Sequence, residues 1–413
     1  MSNTKLIKYG CYSANISMAA VCNVPPVLFL TFREMYGISY SLLGLLVLIN
    51  FLTQLTIDLI FSFFSHKFNI EKTVRYTPLI TFAGLLMFAV CPYFAGKFVY
   101  MTLVIGTILY SVSAGLSEVL ISPVIAALPA KDPEREMSKL HSIYAWGVVG
   151  VIPVATLFLS LFGNSNWQLM IFIIMAIPLA SFIFFSLAKI PEIETPEKTE
   201  GAIRFLKQRG VWLCVFAIFL GGAAECTMAQ WSSGYLERAL GIPKIWGDCL
   251  GVALFALMLG TGRTFFAQKG KNVGKFIFIG AIGSSVCYLL AALSPFPVVG
   301  LFACAFTGLC VSMFWPGSLI AASERYPESG VLIYALMAAG GDFGASVGPQ
   351  LIGVITDAIS RNPGAVTLAQ NMGMAGDQFG MKMGMLIGVV VSVVAIPVYY
   401  HIHKTRKAAG QES

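Results

Sequence analysis

The chain has 413 residues, of which 57% are hydrophobic and only 11% are Asp, Glu, Lys or Arg, less than half the charged share of a typical soluble domain. That balance excludes an ordinary soluble enzyme and a disordered chain, and it supplies about a dozen apolar stretches of roughly 20 residues, the length that crosses a bilayer as a helix. The net charge of +7 points to nucleic acid only until the basic residues are placed. The nine Cys stand singly in apolar stretches, and no His/Cys spacing forms a metal motif, so neither a metal nor a cofactor is expected.

In chain order, apolar stretches predict helices at about 9–32, 39–65, 74–94, 98–128, 140–162 and 167–188. A polar connector follows at about 189–210, and then helices at about 211–237, 245–267, 275–293, 297–324, 330–356 and 380–401. The first stretch is too long for a cleaved signal peptide and lacks a small-residue cleavage pattern. It offers Asn15 and Asn23, and Pro25-Pro26 beyond them must disturb helix hydrogen bonding. The second carries Gln54 and Asp58, four apart and so on one face. The fourth carries Glu118 among the small residues Ser113, Ala114, Gly115 and Ser117, which allow close helix approach. Trp146, with His141 and Tyr144, opens the fifth. The seventh holds Glu225, Gln230 and Trp231, the eighth Arg263, the tenth Trp315-Pro316 and the eleventh Asp342. The stretch 357–379, with Asn362-Pro363-Gly364 and Gly373, reads as an irregular outer loop.

With the N-terminus placed in the cytoplasm, 20 of the 27 Lys and Arg fall on that side, from Lys5 and Lys8 through the connector to Lys404, Arg406 and Lys407. Six fall outside (Arg33, Lys97, Arg238, Lys244, Arg361, Lys382), and Arg263 lies within a helix. The basic charge is therefore an orientation signal, with both termini inside. No basic patch suits nucleic acid. The expected location is the cell's inner or plasma membrane.

The two sets of six spans repeat each other. Gly37-Ile38 precedes the second span and Gly241-Ile242 the eighth, and Lys67 and Lys271 follow at the same interval. Gly115-Leu116 with Pro123 matches Gly308-Leu309 with Pro316. The expected fold is thus all-α and membrane-integral: twelve transmembrane helices in two six-helix pseudo-symmetric bundles, 1–188 and 211–413, joined by a cytoplasmic connector at 189–210.

On these features the chain resembles the major facilitator superfamily over nearly its whole length. The superfamily's signature loop after the second span corresponds to Ser62 through Lys72; Lys67 and Lys72 are kept, while His66, Asn69 and Glu71 replace the signature acid, a glycine and an arginine. Gly262-Arg263 resembles a recurring Gly-Arg at the inner end of the eighth span. Within the superfamily, Glu118 followed by Ser122-Pro123 is similar to the glutamate and Asn-Pro of the fucose:proton symporter group. Glu225, Gln230, Trp231 and Tyr235 resemble relatives grouped with sodium-dependent glucose transporters. The first span lacks the second acid of the fucose group. The resemblance implies proton-coupled symport of a hexose-type sugar by a carrier acting as a monomer.

Read physically, Asp58, Glu118, Glu225 and Asp342 lie inside apolar spans, where an ionised carboxylate costs at least about 2.5–3.5 kcal/mol. Such acids are kept if they are paired, protonated or face water. Glu118 and Asp58 are the candidate proton-coupling residues. Asn23, Gln54, Trp146, Glu225, Gln230, Trp231 and Trp315 are candidates for substrate binding, because a sugar needs polar partners for its hydroxyls and an aromatic face for its C–H surface. Arg263 and Asp342 read as structural or gating charges, and sequence does not show whether they meet. Export or import of a non-sugar amphipathic or cationic molecule, and sodium in place of protons, are the alternatives. No nucleophile elbow, phosphate loop or metal motif supports a membrane enzyme.

Overall fold

The computed structural model describes residues 2–64, 67–129, 133–191, 207–269, 272–326 and 331–409. His66 of the signature loop and most of the 189–210 connector lie outside them. The described residues form helices and no strands. Ten helical stretches are long and apolar enough to cross a membrane, and an eleventh is the bent pair Asn3–Val27 and Phe29–Tyr36. The remaining expected span, 330–356, is the 31-residue helix Val331–Arg361, which carries Asp342, Gln350 and Asp357 along its length.

The packing divides the chain into two units, Met1–Tyr36 with Ile49–Glu200, and Gly37–Leu48 with Gly201–Ser413. The first unit contains α1 (Asn3–Val27), α2 (Phe29–Tyr36), most of α3 (Tyr40–Phe64), α4 (Ile70–Val90), α5 (Val99–Ala126), α6 (Pro133–Phe162), α7 (Trp167–Ile174) and α8 (Ala176–Leu187). The second contains α9 (Arg209–Leu240), α10 (Leu254–Lys269) after a π-helical turn at Gly247–Ala253, α11 (Val273–Leu293), α12 (Pro297–Val311), α13 (Phe314–Arg325), α14 (Val331–Arg361), α15 (Pro363–Asn371) and α16 (Gly376–Ala409).

Three spans are broken, each within three residues of a proline. α1 and α2 meet at 48° at Leu28, whose N–H turns back to the carbonyl of Pro25. Prolines lack the N–H that an unbroken ladder needs. α12 and α13 part at Ser312–Met313, just before Trp315-Pro316. α7 and α8 part at Met175, ahead of Pro178.

The stretch 357–379 departs from the expectation of an irregular loop. α14 runs on to Arg361, α15 occupies Pro363–Asn371, and α16 begins at Gly376. The reason is local: the Asn362 side chain accepts the Ala365 N–H at 3.0 Å, and Pro363 occupies the first helical position, where its missing N–H costs nothing.

The internal repeat is visible in backbone detail. Gly37 and Gly241 hold the same left-handed conformation, with φ of 66° and 67°, which a side chain would strain. Asn69 caps α4 by accepting the Lys72 N–H, and Asn272 caps α11 by accepting the Lys275 N–H, each at 2.9 Å. Asn69, which stands where the signature loop has glycine, thus starts a helix, and its counterpart does the same in the second half.

Within the second unit, the N-terminus of α3 is clasped by two aspartates. Asp357 accepts the N–H groups of Tyr40 at 3.2 Å and Ser41 at 2.7 Å. Asp377 accepts Arg238 Nε at 2.7 Å and the Tyr40 hydroxyl at 3.4 Å. The Asp357 carboxylate serves donors that a helix start leaves without intrahelical partners, and Asp377 holds the Tyr40 side chain.

Candidate functional site

In the first unit, α3 presents Asn50, Gln54 and Asp58 at four-residue steps on one face, and all three are buried. Gln54 Nε2 donates to Asn50 Oδ1 at 3.2 Å, and Ser111 Oγ on α5 donates to the same oxygen at 2.6 Å. The amide nitrogens of Asn50 and Gln54 also reach the Cys22 sulfur of α1, at 3.9 and 3.8 Å. Asn50 was not among the residues singled out from sequence. The four-residue step to Gln54 was the signal for it.

α5 meets this face at Gly115, where a Cβ would stand 3.1 Å from the Gln54 Cα and carbonyl oxygen. One turn further along α5 is Glu118, and its carboxylate lies within 4.8 Å of that of Asp58. Gly115 thereby brings together two acids that are 60 positions apart in the chain. Asn23 on α1 donates to the Ala19 carbonyl and, at 3.2 Å, to the Tyr144 hydroxyl of α6. Trp146, two residues beyond, is exposed.

In the second unit, Arg263 joins Glu225. Its Nη2 donates to both carboxylate oxygens, at 3.0 and 3.1 Å, and its Nε donates to the Ser312 carbonyl at 3.0 Å. That carbonyl is available for a reason written in the sequence. Its helical partner would be the N–H four residues on, and that residue is Pro316, which has none. Gly262 lets α10 approach the break, since a Cβ there would stand 2.7 Å from Ser312 Cβ. Gly262, Arg263, Ser312 and Pro316 therefore act as one device that holds a guanidinium against Glu225.

Of the acids within the spans, Glu225 takes the salt bridge with Arg263. Asp342 is buried on α14 beside Gly341, which is covered by the Trp315 ring. Tyr288, which the sequence reading passed over, donates its hydroxyl to the Ala224 carbonyl at 2.6 Å and so fixes the backbone that carries Glu225. Gln230 is buried. Trp231 is buried with it, and its indole N–H donates to the Pro349 carbonyl at 2.8 Å, which commits that donor to helix packing.

The family model described as Major Facilitator Superfamily matches residues 10–349. The chain belongs to the major facilitator superfamily. Its members are transporters, not enzymes, and the chain is a multi-pass membrane protein. Solved structures share the fold at low identity. A bacterial homolog of the human lysosomal transporter Spinster, in an inward-facing, unoccupied conformation, is 15% identical, with a TM-score of 0.74 over 97% of this chain and 96% of that one. A D-xylose-proton symporter is 15% identical, with a TM-score of 0.70 over 95% and 96%. The E. coli fucose:proton symporter is 12% identical, with a TM-score of 0.56 over 95% and 98%. No curated protein sequence matches the chain.

Proposed function

We propose that this superfamily member is a secondary active transporter that takes up a polar, hexose-type solute together with a proton by alternating access. The observation that carries the reading is the Asp58–Glu118 pair, with carboxylates within 4.8 Å, next to the amide patch of Asn50 and Gln54. Two negative charges at that separation in a poorly polarisable interior repel strongly, and one proton between them removes the repulsion. Binding a proton thus changes the charge of a face that also offers amide groups to hydroxyls. Asn23, Tyr144 and Ser111 extend the polar face. In the other half, Glu225 is neutralised by Arg263. The structural likeness to a D-xylose-proton symporter supports the sugar assignment. The Lys and Arg asymmetry supports cytoplasmic termini in the plasma or inner membrane.

A sodium-coupled carrier and a carrier of an organic cation are the competing readings, favoured by the same pair of acids, since carboxylates serve Na⁺ as well as protons. One experiment separates them: uptake of labelled fucose, glucose, mannose, galactose and xylose into proteoliposomes under an inward proton gradient, an inward sodium gradient, or neither. Uptake of one sugar driven by protons, with Glu118→Gln losing the driven uptake but keeping counterflow exchange, is the expected result. Drive by sodium alone refutes the proton assignment. No sugar uptake by folded protein refutes the sugar assignment and moves the search to organic cations.

A further inference from the structure

The second unit holds a pair of thiols that plays no part in the proposed transport chemistry. Cys287 lies on α11 and Cys310 on the last turn of α12. The two thiols lie within reach of each other, and Thr307 is close to Cys287. The approach is built into the helices: Gly283, one turn before Cys287, is where a Cβ would stand 2.8 Å from Cys310 Sγ. A larger residue at 283 would displace the Cys310 thiol. Both cysteines are half-buried, whereas Cys304, a third thiol on α12, is fully buried. Their neighbours Val286 and Leu290 are exposed apolar residues, so the lipid side gives access to a neutral reagent.

We propose that Cys287 and Cys310 form a two-coordinate site for a soft divalent d¹⁰ cation of the mercuric type. Soft thiolates select such ions over Mg²⁺, Ca²⁺ or Na⁺, which require oxygen ligands. Charge points the same way. Two thiolates and one divalent ion make a neutral complex, the form that an apolar interior tolerates, whereas a monovalent soft ion leaves a net negative charge. With mercuric chloride, two S–H bonds and two Hg–Cl bonds break, two Hg–S bonds form, and two protons and two chlorides leave, with no change of oxidation state. Occupancy ties α11 to the end of α12, two residues ahead of Ser312, whose carbonyl holds Arg263.

The test loads the purified full-length protein in detergent with mercuric chloride, washes it with excess 2-mercaptoethanol, and measures retained mercury. Two-thiol chelation outlasts single-thiol binding by about 100-fold or more, so the half-buried Cys91, Cys226 and Cys249 are stripped while the pair is not. The expected result is about one mercury per wild-type chain, with the mercury lost in Cys287→Ser and in Cys310→Ser. A wild type that retains none, or a folded single variant that retains as much as wild type, overturns the site. A second reading needs no variant: mercury must shield both the Cys287 and the Cys310 peptides of the wild type from N-ethylmaleimide. Alkylation of either at the unprotected rate overturns the proposal.

Discussion

Removing either partner of the Glu225–Arg263 pair has unequal consequences, and the inequality follows from exposure. The Arg263 side chain is 38% exposed and that of Glu225 only 16%. At a charge separation of about 4 Å and an effective dielectric constant of 20, the attraction is about 4 kcal/mol. Water at the Arg263 end screens part of it, leaving a coupling of about 1.5–3 kcal/mol. With Glu225→Gln, the guanidinium keeps the Ser312 carbonyl and reaches water, so the loss is about 1.5–2.5 kcal/mol. With Arg263→Gln, the less exposed carboxylate loses its countercharge and Ser312 loses its donor, so the loss is about 3–4 kcal/mol. The double variant should fall short of the sum by the coupling. Equilibrium unfolding of the four proteins in mixed micelles, followed by tryptophan fluorescence, reads all three quantities. Additive single losses, within about 0.5 kcal/mol, refute the pair as an energetic unit. A larger loss for Glu225→Gln than for Arg263→Gln refutes the exposure argument.

Gly344→Ala should destabilise by about 3 kcal/mol or more, because its Cβ collides with the Phe219 carbonyl oxygen and stands 2.9 Å from the Ala223 nitrogen. Gly150→Ala, with nothing within 4 Å, should be neutral or stabilising by up to about 1 kcal/mol; thermal melts of the two variants at one scan rate make the comparison. Asn69→Ala and Asn272→Ala should each cost about 1 kcal/mol through loss of the cap, and together they should be additive, since the caps serve separate helices. Unequal losses in melting experiments would count against their equivalence in the repeat.

The spans and the repeat were legible because they rest on long-period signals: apolar length, paired glycines and basic loops. Single turns were legible only where the residue dictates the geometry. Asn362-Pro363 is an N-terminal helix signal, and reading it as a loop overlooked the proline's fit at the first helical position. Pairings were less visible. Glu225 and Arg263 are 38 positions apart, and nothing in either neighbourhood ranks Glu225 over Asp342 as the partner of Arg263. What ranks it is the carbonyl freed by Pro316, an effect of three-dimensional placement. The indole of Trp231 has the chemistry of a sugar platform, yet the interior of α14 supplies its acceptor, Pro349. Asp58 and Glu118 were each recognisable as costly acids, and only the close approach at Gly115 makes them a pair.

The seam between α9 and α14 has a mechanical consequence. Gly222 and Gly344 place backbone on backbone: a Cβ at Gly222 would collide with the Gly341 carbonyl oxygen, and one at Gly344 with that of Phe219. Helices separated by side chains can slide as rotamers exchange. Helices in backbone contact have no such layer to shear, so α9 and α14 behave as one welded plate. Strain within this half must then gather where the ladder is already open, at Ser312–Met313, and the guanidinium of Arg263 sits on the carbonyl at that joint. A load on Glu225 is thereby transmitted to a joint where the helical ladder is already open.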